Sequence, residues 1–163
     1  MKKRNAIAGI IILIMLFVGA SVSQLACPSE PPEICITAAG QELYYTVGKN
    51  EWNGKKYDRI DVLVEILTSS LGSAVSYVPE GETVEIEFLG KAPDSYELTK
   101  EWAANQGESR VEVPINFQNK KGSFIHSEPD LAEGDDITLI GYRLICRWGK
   151  NECEYGFMIS NIK

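Results

Sequence analysis

Residues 140–160 read Ile-Gly-Tyr-Arg-Leu-Ile-Cys-Arg-Trp-Gly-Lys-Asn-Glu-Cys-Glu-Tyr-Gly-Phe-Met-Ile-Ser, and their spacing decides the fold. Ile140, Tyr142, Leu144, Cys146 and Trp148 fall at every second position, as do Cys153, Tyr155, Phe157 and Ile159. A period of two places each set on one face of an extended strand. Gly149-Lys150 predicts a two-residue turn with glycine first, as type II′ requires, and that register sets Cys146 opposite Cys153. A turn at Lys150-Asn151 would leave the two cysteines diagonal on the same face. Arg143 and Arg147 point away from the apolar face, toward Glu152, Glu154 or solvent.

The same alternation recurs upstream. Thr83–Phe88 turns Val84, Ile86 and Phe88 inward and its acids outward, and Val78-Pro79-Glu80-Gly81 before it is a turn. Glu85 and Glu87 read as solvated charges that guard a sheet edge. Val111, Val113, Ile115 and Phe117 keep period two through Pro114, which lacks an N–H and so predicts an edge or a bulge. Ile34–Ala38 and Glu42–Val47 are two further strands, with Ala39-Gly40-Gln41 as the turn. Residues 93–107 predict a strand running into a loop. Asp58–Leu71 predicts one short helix, with Asp58 and Asp61 at its start, a stripe of Ile60, Leu63, Leu67 and Leu71, and Gly72 as the stop. About seven short strands between Gly/Pro turns predict a mainly β fold, an antiparallel immunoglobulin-like β-sandwich over residues 34–163.

The beginning of the chain is of another kind. Met1-Lys2-Lys3-Arg4-Asn5 is basic, Ala6–Val18 has no polar side chain, and Gly19–Ser23 is a run of small residues. That layout is a secretory signal peptide over 1–23, or an uncleaved anchor helix. A cysteine after a small residue, Ala26-Cys27, also raises lipidation, although Gln24 stands where a lipobox has Leu. Residues 24–33, rich in Pro and Glu, predict a linker. Both readings put the domain outside the cytoplasmic membrane, secreted or held on its outer face. Losing the leader removes three bases and no acid, so the formal charge goes from −7 to −10. So acidic a domain lacks the footprint of a nucleic-acid binder or of a protein drawn to anionic headgroups, which leaves membrane contact to the N-terminal segment.

Four cysteines, Cys27, Cys35, Cys146 and Cys153, follow the leader. In an exported domain an even count predicts two disulfides. The hairpin register favours Cys146–Cys153, with Cys27–Cys35 closing the linker on the first strand. The gaps do not suit structural zinc, and His126 is the only histidine.

Glu51-Trp52-Asn53-Gly54, Ala92-Pro93-Asp94-Ser95, Gly141–Gly149 and Glu154-Tyr155-Gly156-Phe157 together resemble a group of small exported or lipid-anchored proteins of Gram-positive bacteria. The resemblance implies a cell-surface location and an immunoglobulin-like sandwich. It implies no catalytic residue and no activity, since the function of that group is uncharacterised.

Residue chemistry points the same way. His126 with Ser123 or Ser127 lacks the strained turn of a nucleophile elbow and reads as a surface or strand-end histidine. Paired carboxylates spaced for glycoside cleavage would arise by chance among 23 acids. The acidic stretch 128–136 offers Asp130, Glu133, Asp135 and Asp136 as calcium ligands, without EF-hand spacing. Trp52 and Trp102 lie in polar surroundings and are the candidate ligand-contact aromatics, whereas Trp148 belongs in the core. With no catalytic residue and no cofactor indicated, the expectation is a non-catalytic binding or accessory domain for a protein, peptide or glycan at the cell surface. A protease inhibitor or hydrolase on the same scaffold is the alternative.

Overall fold

The computed structural model describes residues 29–68, 75–104, 107–129 and 139–162. The leader, Cys27, Leu71, Gly72 and the four calcium candidates lie outside them. The hairpin forms in the predicted register. Strands β11 (Leu139–Trp148) and β12 (Asn151–Ser160) pair antiparallel with Cys146 across from Cys153, and Gly149 turns at φ 61°. All nine alternating residues on its inner face are buried.

Two sheets enclose the core. One has the order β2-β1-β6-β10-β9: Gln41–Glu42, Ile34–Ala38, Thr83–Phe88, Lys121–Ile125 and Asn116–Gln118. The other runs β4-β3-β12-β11-β7-β8, adding Lys55–Tyr57, Tyr45–Trp52, Ser95–Ala104 and Gly107–Glu112. A short strand β5 (Ser76–Tyr77) lies parallel to the end of β12, and all other pairings are antiparallel. Aromatic rings bind the layers: Phe88 of the first sheet meets Trp148 of the second at 5.8 Å, and Phe124 meets Phe157 at 6.5 Å. The first pair is edge-to-face, an arrangement that adds about 0.5–1.5 kcal/mol beyond burial, and the second is tilted. The fold is a mainly β, antiparallel two-sheet sandwich with one short helix.

Several expectations are corrected in detail. Glu42–Val47 is not one strand. The chain leaves the first sheet after Glu42 and joins the second at Tyr45, while buried Leu43 still donates its N–H to Ile36 O at 2.8 Å. Pro114 marks a similar crossing in reverse: β8 edges the second sheet and β9 the first. A residue with no N–H suits the step where a strand changes sheets. Glu85 and Glu87 do face outward, but β6 sits between β1 and β10, so they guard no edge.

The helix is shorter than expected and presents another face. Helix α1 spans Val62–Thr68 and is capped by Asp61, whose Oδ1 accepts the N–H groups of Leu63 (3.0 Å) and Val64 (3.4 Å). A carboxylate that accepts the orphan donors of the first turn is a sound N-cap. Val62, Leu63 and Ile66 face inward with Met158, while Ile60, Val64 and Leu67 are exposed. The helix lies on the outer face of the second sheet, where glycines make room. A Cβ on Gly156 would stand 2.4 Å from Val62 Cγ2, and one on Gly141 2.5 Å from Leu63 Cδ1.

Pro32 and Glu33, at the end of the linker, are held against the sandwich. Buried Tyr155 donates its hydroxyl to Pro32 O at 2.7 Å, and Leu89 N–H binds Glu33 O at 2.9 Å. The chain is therefore fastened to the sandwich before its first strand begins.

Candidate functional site

The residue types that carry chemistry fall into three places. The first is Arg143, on the outward face of β11 and under the start of α1. Its Nε donates to Glu101 Oε1 at 2.8 Å, Nη2 to Asp61 Oδ2 at 2.7 Å, and Nη1 to Glu154 Oε1. Arg143 and Glu154 side chains are only 8% and 10% exposed. Glu154 also accepts the Lys49 N–H at 3.2 Å, and Arg110 reaches Glu101 at 2.5 Å. Burial pushes the Asp61 carboxyl up, but the Arg143 guanidinium more than offsets this and holds it below its ordinary value. Four elements, α1 through its cap, β7, β11 and β12, thus meet on one planar cation. The sequence placed Arg143 outward, toward Glu152, Glu154 or solvent, and the structure selects Glu154. The sequence did not show that a helix closes over the pair. The signal was there in Gly141 and Gly156, small residues on the outward face of two otherwise bulky strands.

The second place is His126, one residue past β10. It is fully buried, which corrects the expectation of a surface histidine while keeping that of a strand end. Nδ1 lies 2.7 Å from the Tyr142 hydroxyl. Burial lowers the His126 pKa more than the Asn161 side chain restores it, and burial raises that of Tyr142. Ser123 is exposed on the other side of the strand, and Ser127 is held by Lys100 Nζ at 3.0 Å. The pair is a polar contact inside an apolar core.

Cysteines make the third group. Cys35, Cys146 and Cys153 are thiols, so the expected Cys146–Cys153 bridge is not formed although the register suits it. The Cys153 Sγ is directed at Glu154 O, 3.8 Å away, instead of across the hairpin. Burial raises the Cys146 pKa and pushes Cys153 up to about 12, so neither thiol carries a nucleophilic thiolate near neutrality. Cys35 lies on the outer face of the first sheet and Cys27 outside the described residues. Among the described residues no disulfide is formed, so the case for export rests on the leader.

Trp52 is buried, ring to ring with Trp148 at 5.2 Å, and offers no ligand contact. Its polar neighbours belong to a tight hairpin: Asn53 and Gly54 both take positive φ, 52° and 74°, as a type I′ turn demands. Asn-Gly after an aromatic was the signal that made Trp52 a strand residue. Trp102 is half-buried with the Lys100 ammonium 6.0 Å from its ring. Where the chain crosses between sheets, Glu42, Leu43, Tyr44 and Tyr45 line an open recess of about 540 Å³. Tyr44 is exposed at its rim.

No family model, curated protein or solved structure matches the chain.

Proposed function

We propose that the chain is an extracytoplasmic, non-catalytic binding or accessory domain built on an immunoglobulin-type sandwich. The strand order supports the fold type. β1-β6-β10-β9 corresponds to A-B-E-D of an immunoglobulin domain, and β12-β11-β7-β8 to G-F-C-C′. Strand β5, parallel to β12, takes the place of A′, and β2, β3, β4 and α1 are an insertion between A and A′. Tyr142, near the start of the F-like strand, bonds back to the His126 side chain just past the E-like strand and so ties the two sheets at that end. This agrees with the resemblance to small exported immunoglobulin-like proteins of Gram-positive bacteria. The basic-then-apolar leader supports a location beyond the membrane.

One contrast carries the binding reading. Among the described residues His126, Cys146 and Cys153 are sealed in the core, whereas the recess beside Tyr44 is open and aromatic. Its volume is in the range of ligand clefts, about 300–1,000 Å³. A photo-crosslinking residue at position 44 in protein displayed on intact cells should capture a discrete partner that the same residue at position 123 does not. Identical capture patterns at the two positions would remove this reading.

A further inference from the structure

Charge is not spread evenly over this acidic domain. At one end of the sandwich three hairpin tips, the β6–β7 loop and the incoming N-terminal chain are tied to each other. The β3–β4 tip is held by Asn53 N–H on Asn151 Oδ1 at 3.0 Å, and Asn53 Nδ2 reaches Ser29 O at 3.4 Å. The β6–β7 loop joins the β11–β12 turn through Trp148 Nε1 on Lys91 O (2.9 Å) and Gly149 N–H on Asp94 Oδ2 (2.8 Å). The β9–β10 tip is joined by Phe88 N–H on Lys120 O, 2.9 Å.

These tips and the loop each carry an exposed lysine: Lys55, Lys91, Lys120 and Lys150. Lys91 is paired with Asp94 at 3.5 Å. Among the described residues Lys55, Lys120 and Lys150 form no ion pair, and Leu89, in the β6–β7 loop, is 57% exposed. The other charges flanking these tips are paired, Lys56 with Glu51 at 3.4 Å, Lys121 with Glu87 at 3.0 Å and Arg147 with Glu152 at 2.7 Å, and Glu30 and Glu33 lie on the incoming chain. At the opposite end, the described loops carry Glu80, Glu82 and Glu128.

We propose that the lysine-tipped end rests on the anionic phospholipid surface of the membrane whose far side the domain occupies. The inference deepens the extracytoplasmic reading and rests on it. Two observations choose this occupant. Cationic tips in a chain of net charge −7 are complementary to anionic headgroups. The chain also leaves this end toward the apolar stretch Ala6–Val18, with only residues 19–31 between, at most about 45 Å of extended backbone. Each lysine near an anionic surface strengthens association about fivefold, so three unpaired ones give on the order of 100-fold at low salt.

The full-length protein is mixed with phosphatidylcholine vesicles, or with vesicles that also contain phosphatidylglycerol, floated, and acetylated with an amine-reactive ester before mass spectrometry. Lys55, Lys120 and Lys150 should lose reactivity on the anionic vesicles relative to the neutral ones and regain it in high salt, while Lys100 is unchanged. Substituting all three with Gln should abolish the salt-sensitive part of binding and leave flotation with neutral vesicles intact. Flotation with neutral vesicles but equal lysine reactivity on both kinds overturns the proposal and keeps the membrane anchor. Salt-sensitive, lysine-protected binding to anionic vesicles alone keeps the proposal and removes the anchor. No flotation with either removes both.

Discussion

Replacing Arg143 by Met should be among the most damaging single changes outside the core. The side chain is 8% exposed and its partner Glu154 10%, so removing the guanidinium leaves a nearly dry carboxylate without its cation. Breaking a buried pair in this way costs about 3–5 kcal/mol. The Lys49 N–H remains on Glu154, and Asp61 is 42% exposed and keeps its capping bonds, so about 3 kcal/mol is expected at neutral pH. Against a typical domain stability of about 5–15 kcal/mol this is a large fraction. Urea unfolding followed by the emission of buried Trp52 and Trp148 reports it as a shift in midpoint. The double variant R143M/E154M should recover most of the loss, because an apolar pair in the same place carries no unpaired charge. Lowering the pH through the carboxylate range should narrow the gap between wild type and R143M. Asp61 has a depressed pKa in the folded state, so its contribution is present above its unfolded value and lost as the pH falls through the folded one. A loss below about 1 kcal/mol in R143M, or a double variant as unstable as the single, would refute the reasoning.

His126 is expected to make the protein acid-labile near pH 6. Its folded pKa lies below the ordinary value, so the unfolded chain binds the extra proton, and thermal midpoints should fall as the pH drops from above about 6.5. Tyr142→Phe, which removes the hydroxyl bonded to Nδ1, should cost about 1–3 kcal/mol in chemical denaturation. Gly156→Ala drives a methyl into Val62 and should cost about 1–3 kcal/mol, with loss of helical signal in far-UV circular dichroism as α1 lifts. A maleimide should label Cys35 in the native protein, while Cys146 and Cys153 react only after denaturation, as mass spectrometry of the peptides would show.

The hairpin 139–160 was legible because every inward residue is apolar and the turn has one good glycine. Alternation fixes which face turns inward in either register, and Gly149 at positive φ selects the one that forms. The strand crossings at Leu43-Tyr44 and at Pro114 were not, because a strand that changes sheets keeps its period of two on both sides of the step. The helix boundary shifted from Asp58 to Asp61 since both residues satisfy the capping pattern, and only the packing of Val62 on Gly156 chooses between them. Trp52 was assigned outside because its neighbours are polar, yet those neighbours are the turn that delivers it to Trp148. The lysine-tipped end escaped composition altogether. A net charge averages over a surface on which the unpaired lysines gather at one end.

Two sheets closing on one core is the claim on which the rest depends, and a nuclear Overhauser spectrum of the labelled protein tests it directly. Contacts between the rings of Phe88 and Trp148 and of Phe124 and Phe157 join the layers. Close Hα–Hα pairs at Arg147–Glu152 and Ile145–Glu154 fix the hairpin, since these flank the hydrogen-bonded closing pair Trp148–Asn151. All four are expected together. Hairpin contacts displaced by a residue, or no ring contact between β6 and β11, would contradict the architecture.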